Sequence, residues 1–231
     1  GYAQTSLAFA YSDFVLDVTD DVSLRPLYTN DSQERQVTLR SNYYYNLHPG
    51  STLSWGLTAR RIFSDFHIFA AADTNRLNIE IPELHIREEV ATAKIGLYLS
   101  CEQMLFQRLK VTAGLRYDYF EYNEESDLAP RLALSYAVDE NTSLNAAFGI
   151  YYQNLPASLL AQHPDNRGLE NPRADHYVLG LKRRLSPSTQ LSLEAFVKNY
   201  AELPYDPDDP TVLVVDAFAD LGSPTLGRLL G

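Results

Sequence analysis

Residues 108–119 read RLKVTAGLRYDY, and this stretch decides the fold because its hydrophobicity alternates with every residue. Successive side chains of a β-strand point to opposite faces, so a period of two predicts a strand with one apolar and one polar side. The apolar side holds Leu109, Val111, Ala113, Leu115, Tyr117 and Tyr119. The polar side holds Arg108, Lys110, Thr112, Gly114, Arg116 and Asp118.

The same alternation recurs along most of the chain and predicts nine strands, with a tenth possible at 211–218. The nine are placed at about 5–17, 34–47, 52–68, 85–100, 108–122, 129–138, 142–154, 174–185 and 189–201. An ordinary globular strand has about 5–6 residues, whereas a tilted strand that crosses a membrane needs about 9–11. The predicted lengths therefore favour membrane strands.

The predicted connections alternate between short and long. Tight turns are expected at 48–51, 139–141 and 186–188, where Gly, Pro, Asn and Asp suit a sharp reversal, and 101–107 is a short link of less obvious type. Between them lie longer links at 18–33, 69–84, 155–173 and 202–210, and a shorter polar link at 123–128. Short turns at one end and long loops at the other are typical of outer-membrane barrels. Aromatic residues near both strand ends fit the interfacial girdles of such a barrel.

Composition narrows the classes of protein further. The chain has 231 residues and a formal net charge of −11, which disfavours nucleic-acid binding because phosphates need a basic surface. Its single cysteine, Cys101, excludes an internal disulfide and a cysteine-based metal site. No apolar run approaches the roughly 18 residues of a spanning helix, and any export signal is expected outside this sequence. A β-barrel remains compatible, because its alternating faces give it the mean hydropathy of a soluble protein.

Five segments, taken in order, resemble strands of the TonB-dependent outer-membrane receptors. They are LKVTAGLRYD (109–118), APRLALSY (129–136), NTSLNAAFGIYYQ (141–153), NPRADHYVLGL (171–181) and LEAFVKNY (193–200). Each segment alone is weakly specific, whereas the ordered series is much stronger, and the resemblance covers about residues 85–205.

The resemblance implies a barrel of about 22 strands with an N-terminal plug, located in the bacterial outer membrane. It further implies import of a scarce nutrient such as a siderophore, a vitamin or a saccharide. Nine or ten strands are under half of such a barrel, so residues 1–231 are expected to form an open, antiparallel, up-and-down segment of it, without a plug. The implied partners are outer-membrane lipid, the plug and remaining strands, the TonB complex acting through the plug, and an unidentified small ligand.

The charged residues on the polar side of the strands are predicted to face the barrel interior. A charge facing lipid costs roughly 2–4 kcal/mol at mid-depth, so these side chains need water or a plug. The set comprises Arg60, Lys94, Arg108, Lys110, Arg116, Asp118, Arg131, Lys182, Arg184, Glu194 and Lys198.

The longest connection in the matching region is the predicted ligand contact, since binding residues concentrate on loops held by a rigid scaffold. The candidates are Gln153 and Asn154 at its base and Gln162, His163, Asp165, Asn166 and Arg167 within it. No catalytic motif, metal-ligand pattern or phosphate-binding glycine loop is present, so neither an enzyme activity nor a cofactor is predicted.

Two alternatives remain open from the sequence. The first is a small complete barrel, either porin-like or a membrane protease. The protease would need acidic residues and a histidine near the loop end, for which Glu121, Asp127 and His163 are the best candidates. A soluble β-sandwich binding module would fit the alternation but not the sorting of the loops. The receptor interpretation makes a distinguishing prediction. It expects an open sheet whose free edges are the strands near 5–17 and 189–201, or 211–218 if that strand forms.

Overall fold

The computed structural model describes residues 1–74, 78–207 and 209–213 and is dominated by one nine-stranded antiparallel sheet. All nine predicted strands are confirmed. They are β1 (Tyr2–Thr19), β2 (Pro26–His48), β3 (Ser51–Ala70), β4 (Leu84–Leu105), β5 (Leu109–Phe120), β6 (Glu125–Ala137), β7 (Thr142–Tyr152), β8 (Arg173–Ser186) and β9 (Thr189–Ala201).

Neighbouring strands in the sequence are neighbours in the sheet, from β1 through β9 without a crossover. Within the described residues β1 and β9 are the two edges, so the sheet is open, as the receptor interpretation predicts. The other sheets in the described part of the chain have only two strands each, which argues against the β-sandwich alternative, because a sandwich needs a second large sheet packed against the first. The missing ladder between β1 and β9 likewise argues against a small closed barrel.

The register places the predicted interior charges on one face of the sheet, except Arg108, which lies in the turn between β4 and β5. Arg60 pairs with Lys94, Gly114 with Arg131, and His176 with Lys198, so the polar phases of successive strands coincide. We call this the inner face and the opposite one the outer face. Leu109, Leu144 and Leu181 lie on the outer face, because Leu109 and Leu144 both pair with Tyr136 and Leu144 also pairs with Leu181.

The short turns are confirmed at 48–51, 139–141 and 186–188. The short link predicted at 101–107 is tighter than expected. β4 continues to Leu105, so the link placed at 101–107 contains only residues 106–108. Phe106 and Gln107 have positive φ angles of 50° and 59°, and the Arg108 amide donates to the Leu105 carbonyl. Two consecutive positive φ angles define a type I′ turn. That turn normally uses Asn or Gly, so its residues gave no signal in the sequence.

Three links at the other end were predicted too long. The link at 18–33 is wrong, because β1 reaches Thr19 and β2 begins at Pro26. The link at 123–128 contains only residues 121–124, since β6 begins at Glu125. Polar strand ends caused both errors, because strands that leave the membrane no longer need an apolar face. The 69–84 link spans 71–83 and contains a small bridge between Asp73–Thr74 and Glu80–Ile81.

The predicted tenth strand does not extend the sheet within the described residues. Asp209–Leu213 pairs with Tyr205–Asp206 in a separate two-stranded unit. The remainder of the predicted strand, 214–218, lies outside the described residues.

The strands fall into a tall group and a low group. β1 to β4 have 18, 23, 20 and 22 residues, whereas β5 to β9 have between 11 and 14. At roughly 3.3 Å per residue, a strand of 20–23 residues measures roughly 65–75 Å, far more than the ~25 Å apolar band of an outer-membrane barrel. The tall strands therefore project well beyond the membrane on the long-loop side.

Polarity reverses between the two faces in this projecting part. On β3 the outer face changes from Leu53, Trp55, Leu57 and Ala59 to Arg61, Phe63, Asp65 and His67. The inner face of the same stretch becomes apolar and buried at Ile62, Phe66, Ile68 and Ala70. Above the membrane, the outer face meets water and the inner face carries the apolar core.

Candidate ligand-binding site

The connection between β7 and β8, residues 153–172, folds back over the inner face, and we call it the cap. It contains a one-turn helix, α1 (Ala157–Leu160), and a 3-10 turn at Pro164–Gly168. The side chains of Leu159 and Leu160 are fully buried, and they pack with Phe120, Leu155 and Leu169. Burying a leucine contributes roughly 2 kcal/mol, so this cluster holds the cap on the sheet. The described residues include no helix long and apolar enough to cross a membrane.

A second apolar cluster lies under the cap on the tall strands. It consists of Phe66 and Ile68 from β3 with Ile86 and Val90 from β4, and Ala157 and Ala161 of the cap pack against it. Phe66 shares the phase of Arg60, and Val90 shares that of Lys94, so this cluster is on the inner face. The cap therefore extends from the low strand β7 to the tall strands β3 and β4.

Two buried asparagines fix the backbone of the cap. Asn166 donates from Nδ2 to the Leu159 carbonyl at 3.1 Å. Asn171 accepts from the Leu155 amide through Oδ1 at 3.3 Å and donates from Nδ2 to Asp127 Oδ2 at 2.6 Å. A buried polar group is costly unless it is hydrogen-bonded, so these bonds select one conformation of the cap.

A group of polar contacts, which we call the polar anchor, joins the cap to β4 and to the link between β5 and β6. Arg167 Nη2 donates to Glu88 Oε1 and to the Tyr122 hydroxyl, at 2.5 and 3.1 Å, and the guanidinium carbon lies 4.6 Å from the centre of the Tyr122 ring. Tyr122 in turn donates to Glu88 Oε1 at 2.9 Å. Burial, followed by the hydrogen bond to Glu88, raises the pKa of Tyr122 to about 12. The phenol is therefore neutral at physiological pH and acts as a donor.

The seven predicted ligand-contact residues all lie in the cap but differ in exposure and in their contacts. Gln153 is exposed beside β8, and Asn154 is half-buried next to it. His163 precedes the 3-10 turn, and its Nδ1 accepts from the Asp165 amide at 3.2 Å. Asn166 is fully buried within the cap, and Arg167 is in the polar anchor. Gln162 is half-buried and Asp165 is exposed. Ligand contact by these seven residues remains a prediction.

The residues proposed for a protease are engaged elsewhere. Glu121 pairs with Arg61 at 2.9 Å, Asp127 accepts from Asn171, and His163 lies 3.9 Å from Asp165. Within the described residues, no three His, Cys, Asp or Glu side chains are grouped to hold a metal ion.

Below the cap, the inner face of the low strands carries a second set of polar and aromatic residues. Arg116 donates through Nε and Nη2 to both carboxylate oxygens of Asp118. Arg131 lies 4.4 Å from the centre of the Tyr151 ring, and the His176 ring is centred 4.6 Å from the same ring. A pocket of about 320 Å³ opens here, and its lining includes Tyr98, Arg116, Arg131 and Tyr151.

Sequence reasoning missed most of the residues that shape this site. Glu88 and Tyr122 were not singled out, although Arg167 was, because the partners of an ion pair between distant segments leave no local signal. The one available signal was the reversal of alternation on β3 and β4, which indicates an apolar inner face above the membrane.

Taken together, the open antiparallel sheet, the loop sorting and the inward-folded cap define a segment of a transmembrane β-barrel of the outer-membrane type. Residues 1–219 match the family described as "TonB dependent receptor-like, beta-barrel". The chain belongs to this family, and its location is the bacterial outer membrane. A search of curated proteins finds no match.

Solved structures of similar fold are outer-membrane transporters and receptors. The copper transporter OprC superposes with a TM-score of 0.63 at 14% identity, over 85% of this chain and 35% of that one. A double mutant of the ferric enterobactin receptor PfeA from Pseudomonas aeruginosa gives 0.65 at 16% identity, over 86% and 32%. The transporter YddB from Escherichia coli gives 0.59 at 11% identity, over 87% and 32%. This chain therefore spans about a third of the length of each, and the likeness shows the fold.

Proposed function

We propose that this chain is part of the wall of a receptor that binds a small nutrient on the capped side and imports it across the outer membrane. The remaining strands close the barrel, a plug domain fills it, and the TonB complex supplies energy through that plug. Lipid surrounds the outer face of the strands. No enzyme activity is part of this proposal.

One observation carries the proposal: the longest described connection is folded over the inner face rather than extended into solvent. Its apolar side packs on Phe120, Phe66 and Ile86, while a polar wall with a pocket lies lower on the same face. A ligand that enters from the long-loop side meets the cap first and the polar wall next. Gln153, at the base of the cap, and Arg167, at its far end, are the proposed contacts among the predicted residues.

The test replaces residues 155–172 by a short Gly-Ser link in the full receptor. The variant is expressed in a strain that lacks the native gene, and uptake of copper, ferric enterobactin and ferric citrate is measured, since similar folds are named for these substrates. We expect uptake of one of them to be lost, and the wild-type uptake to stop when the proton-motive force is dissipated. A matched control replaces residues 20–25, at the same end of the sheet. Unchanged uptake in the 155–172 variant would contradict the proposal.

A further inference from the structure

Four residues form a row across the inner face of the four low strands β6 to β9. Arg131 pairs in register with Gly149, Gly149 with His176, and His176 with Lys198. At about 4.8 Å between strands the row spans roughly 14 Å. Arg131 and Lys198 are exposed and His176 is half-buried, so all three are accessible from the inner side.

The glycine in this row leaves space for an aromatic ring next to its backbone. A Cβ atom at Gly149 would lie 2.8 Å from Tyr151 Cε2 and 3.0 Å from its hydroxyl oxygen, distances that real side chains do not tolerate. The Tyr151 ring thus covers Gly149, with Arg131 on one side and His176 on the other. The Tyr151 ring therefore lies between the Arg131 guanidinium and the His176 ring, with its hydroxyl end next to Gly149.

The row also lacks neutralising partners. Arg116, on the neighbouring strand, is held by Asp118, whereas no ion pair is described for Arg131, His176 or Lys198 in the part of the chain that the structure covers. Gly114 and Gly149 flank Arg131 across the strands, and the Tyr151 ring lies beside its guanidinium, with 4.4 Å between the guanidinium carbon and the ring centre. Arg131 and Tyr151 also line the pocket of about 320 Å³. This basic row stands out in a chain whose net charge is −11.

We propose that Arg131, Tyr151, His176 and Lys198 bind a small organic polyanion, a compact molecule with two or more carboxylates or equivalent acidic groups. One acidic group accepts from the Arg131 guanidinium and another faces Lys198, while the body of the ligand contacts the exposed edge of the Tyr151 ring. Arg131 and Lys198 stand at opposite ends of the row, three strands apart, and two separate cations favour a ligand with more than one acidic group. The inference rests on the proposed function and names the substrate class of that same inner wall.

Binding can be measured without knowledge of the natural ligand. The purified full receptor in detergent micelles is titrated calorimetrically with benzene-1,3,5-tricarboxylate and with the neutral benzene-1,3,5-tricarboxamide at equal ionic strength. We expect the tricarboxylate to bind and the tricarboxamide not to bind. Arg131→Gln should weaken binding about tenfold, because it removes a charge-assisted hydrogen bond. Arg184→Gln, the same change at the short-turn end of the inner face, should leave the affinity unchanged.

A second pair of variants tests the aromatic ring. Gly149→Ala forces the Tyr151 ring off the row and should also weaken tricarboxylate binding. Gly180→Ala places its Cβ 3.7 Å from Asn145 Cβ, an ordinary contact on the same face, and should not. Heat-modifiable migration in gels shows for each variant that the barrel is folded.

Two results would overturn the inference: no binding of the tricarboxylate to the wild-type receptor, or wild-type affinity in both Arg131→Gln and Gly149→Ala. Calorimetry in micelles needs no energised membrane, so it is independent of the uptake assay. Absent binding together with energy-dependent uptake would remove the substrate class and leave the receptor function. Binding by a receptor that imports nothing would support the substrate class and contradict the import function.

Discussion

Arg167 and Glu88 form a hydrogen-bonded ion pair at 2.5 Å although 79 residues separate them in the sequence. One belongs to the cap and the other to the tall strand β4, so the pair joins the two parts of the candidate site. Tyr122, in the link between β5 and β6, completes the contact through its hydroxyl and its ring.

Arg167→Ala should loosen the cap without unfolding the sheet. The pair is partly exposed, so with the ring contact it is expected to contribute about 1 kcal/mol. Amide hydrogen exchange in residues 155–169 of the full receptor should then become about fivefold faster. Arg61→Ala removes a comparable exposed pair with Glu121 on the outer face and is the control. Equal exchange in both variants would show that the anchor does not hold the cap.

Leu160→Ala should release the cap more completely. Its side chain is fully buried, and a leucine-to-alanine change at such a site costs about 2–5 kcal/mol. Hydrogen exchange should lose protection throughout residues 155–169. Leu179→Ala is a suitable comparison because that leucine, on the outer face, is 67% exposed. Retained protection in Leu160→Ala would mean that the apolar cluster is not what fixes the cap.

The raised pKa of Tyr122 gives a pH window for the anchor. A folded pKa of about 12, above the ordinary value of about 10, means that this contribution to stability is complete below pH 10. It is lost as the pH rises from 10 through 12 and the phenol ionises. Spectrophotometric titration of tyrosinate in the wild type and in Tyr122→Phe should give a difference curve centred near 12. A difference curve centred near 10 would show an unburied hydroxyl.

Neighbouring positions on β5 should respond oppositely to a charge. Ala113 faces outward and Thr112 inward, as their pairing with Cys101 and Glu102 shows. Ala113→Arg places a cation against hydrocarbon and should destabilise the full receptor by roughly 2–4 kcal/mol, whereas Thr112→Arg should cost far less. Urea unfolding in phospholipid vesicles measures the difference. Similar losses in both variants would contradict the assignment of the outer face to lipid.

The sequence predicted the strands well because one face of each must be apolar over the depth of the membrane. Residues 109–119 illustrate this, since the register confirms their two faces residue by residue, whereas Arg108 lies in the preceding turn. Strand ends were predicted less well. Residues 26–33 of β2 and 125–128 of β6 continue the ladder through backbone hydrogen bonds alone, where side-chain polarity carries no signal.

The site was predicted only in outline. The long connection was found from its length, but its inward fold depends on Leu159 and Leu160 meeting Phe120, a contact between distant segments. The row at Arg131 was equally hidden, because it arises when four strands align in register. Alternation assigns a residue to a face, whereas only the register assigns its neighbours.

The strands differ in length, so the long-loop edge of the sheet is asymmetric. β2 to β4 are long and extend far beyond the membrane, whereas β6 to β9 are short and end closer to it. The cap runs from β7 toward β3 and β4, so it covers the inner face on the side of the tall strands.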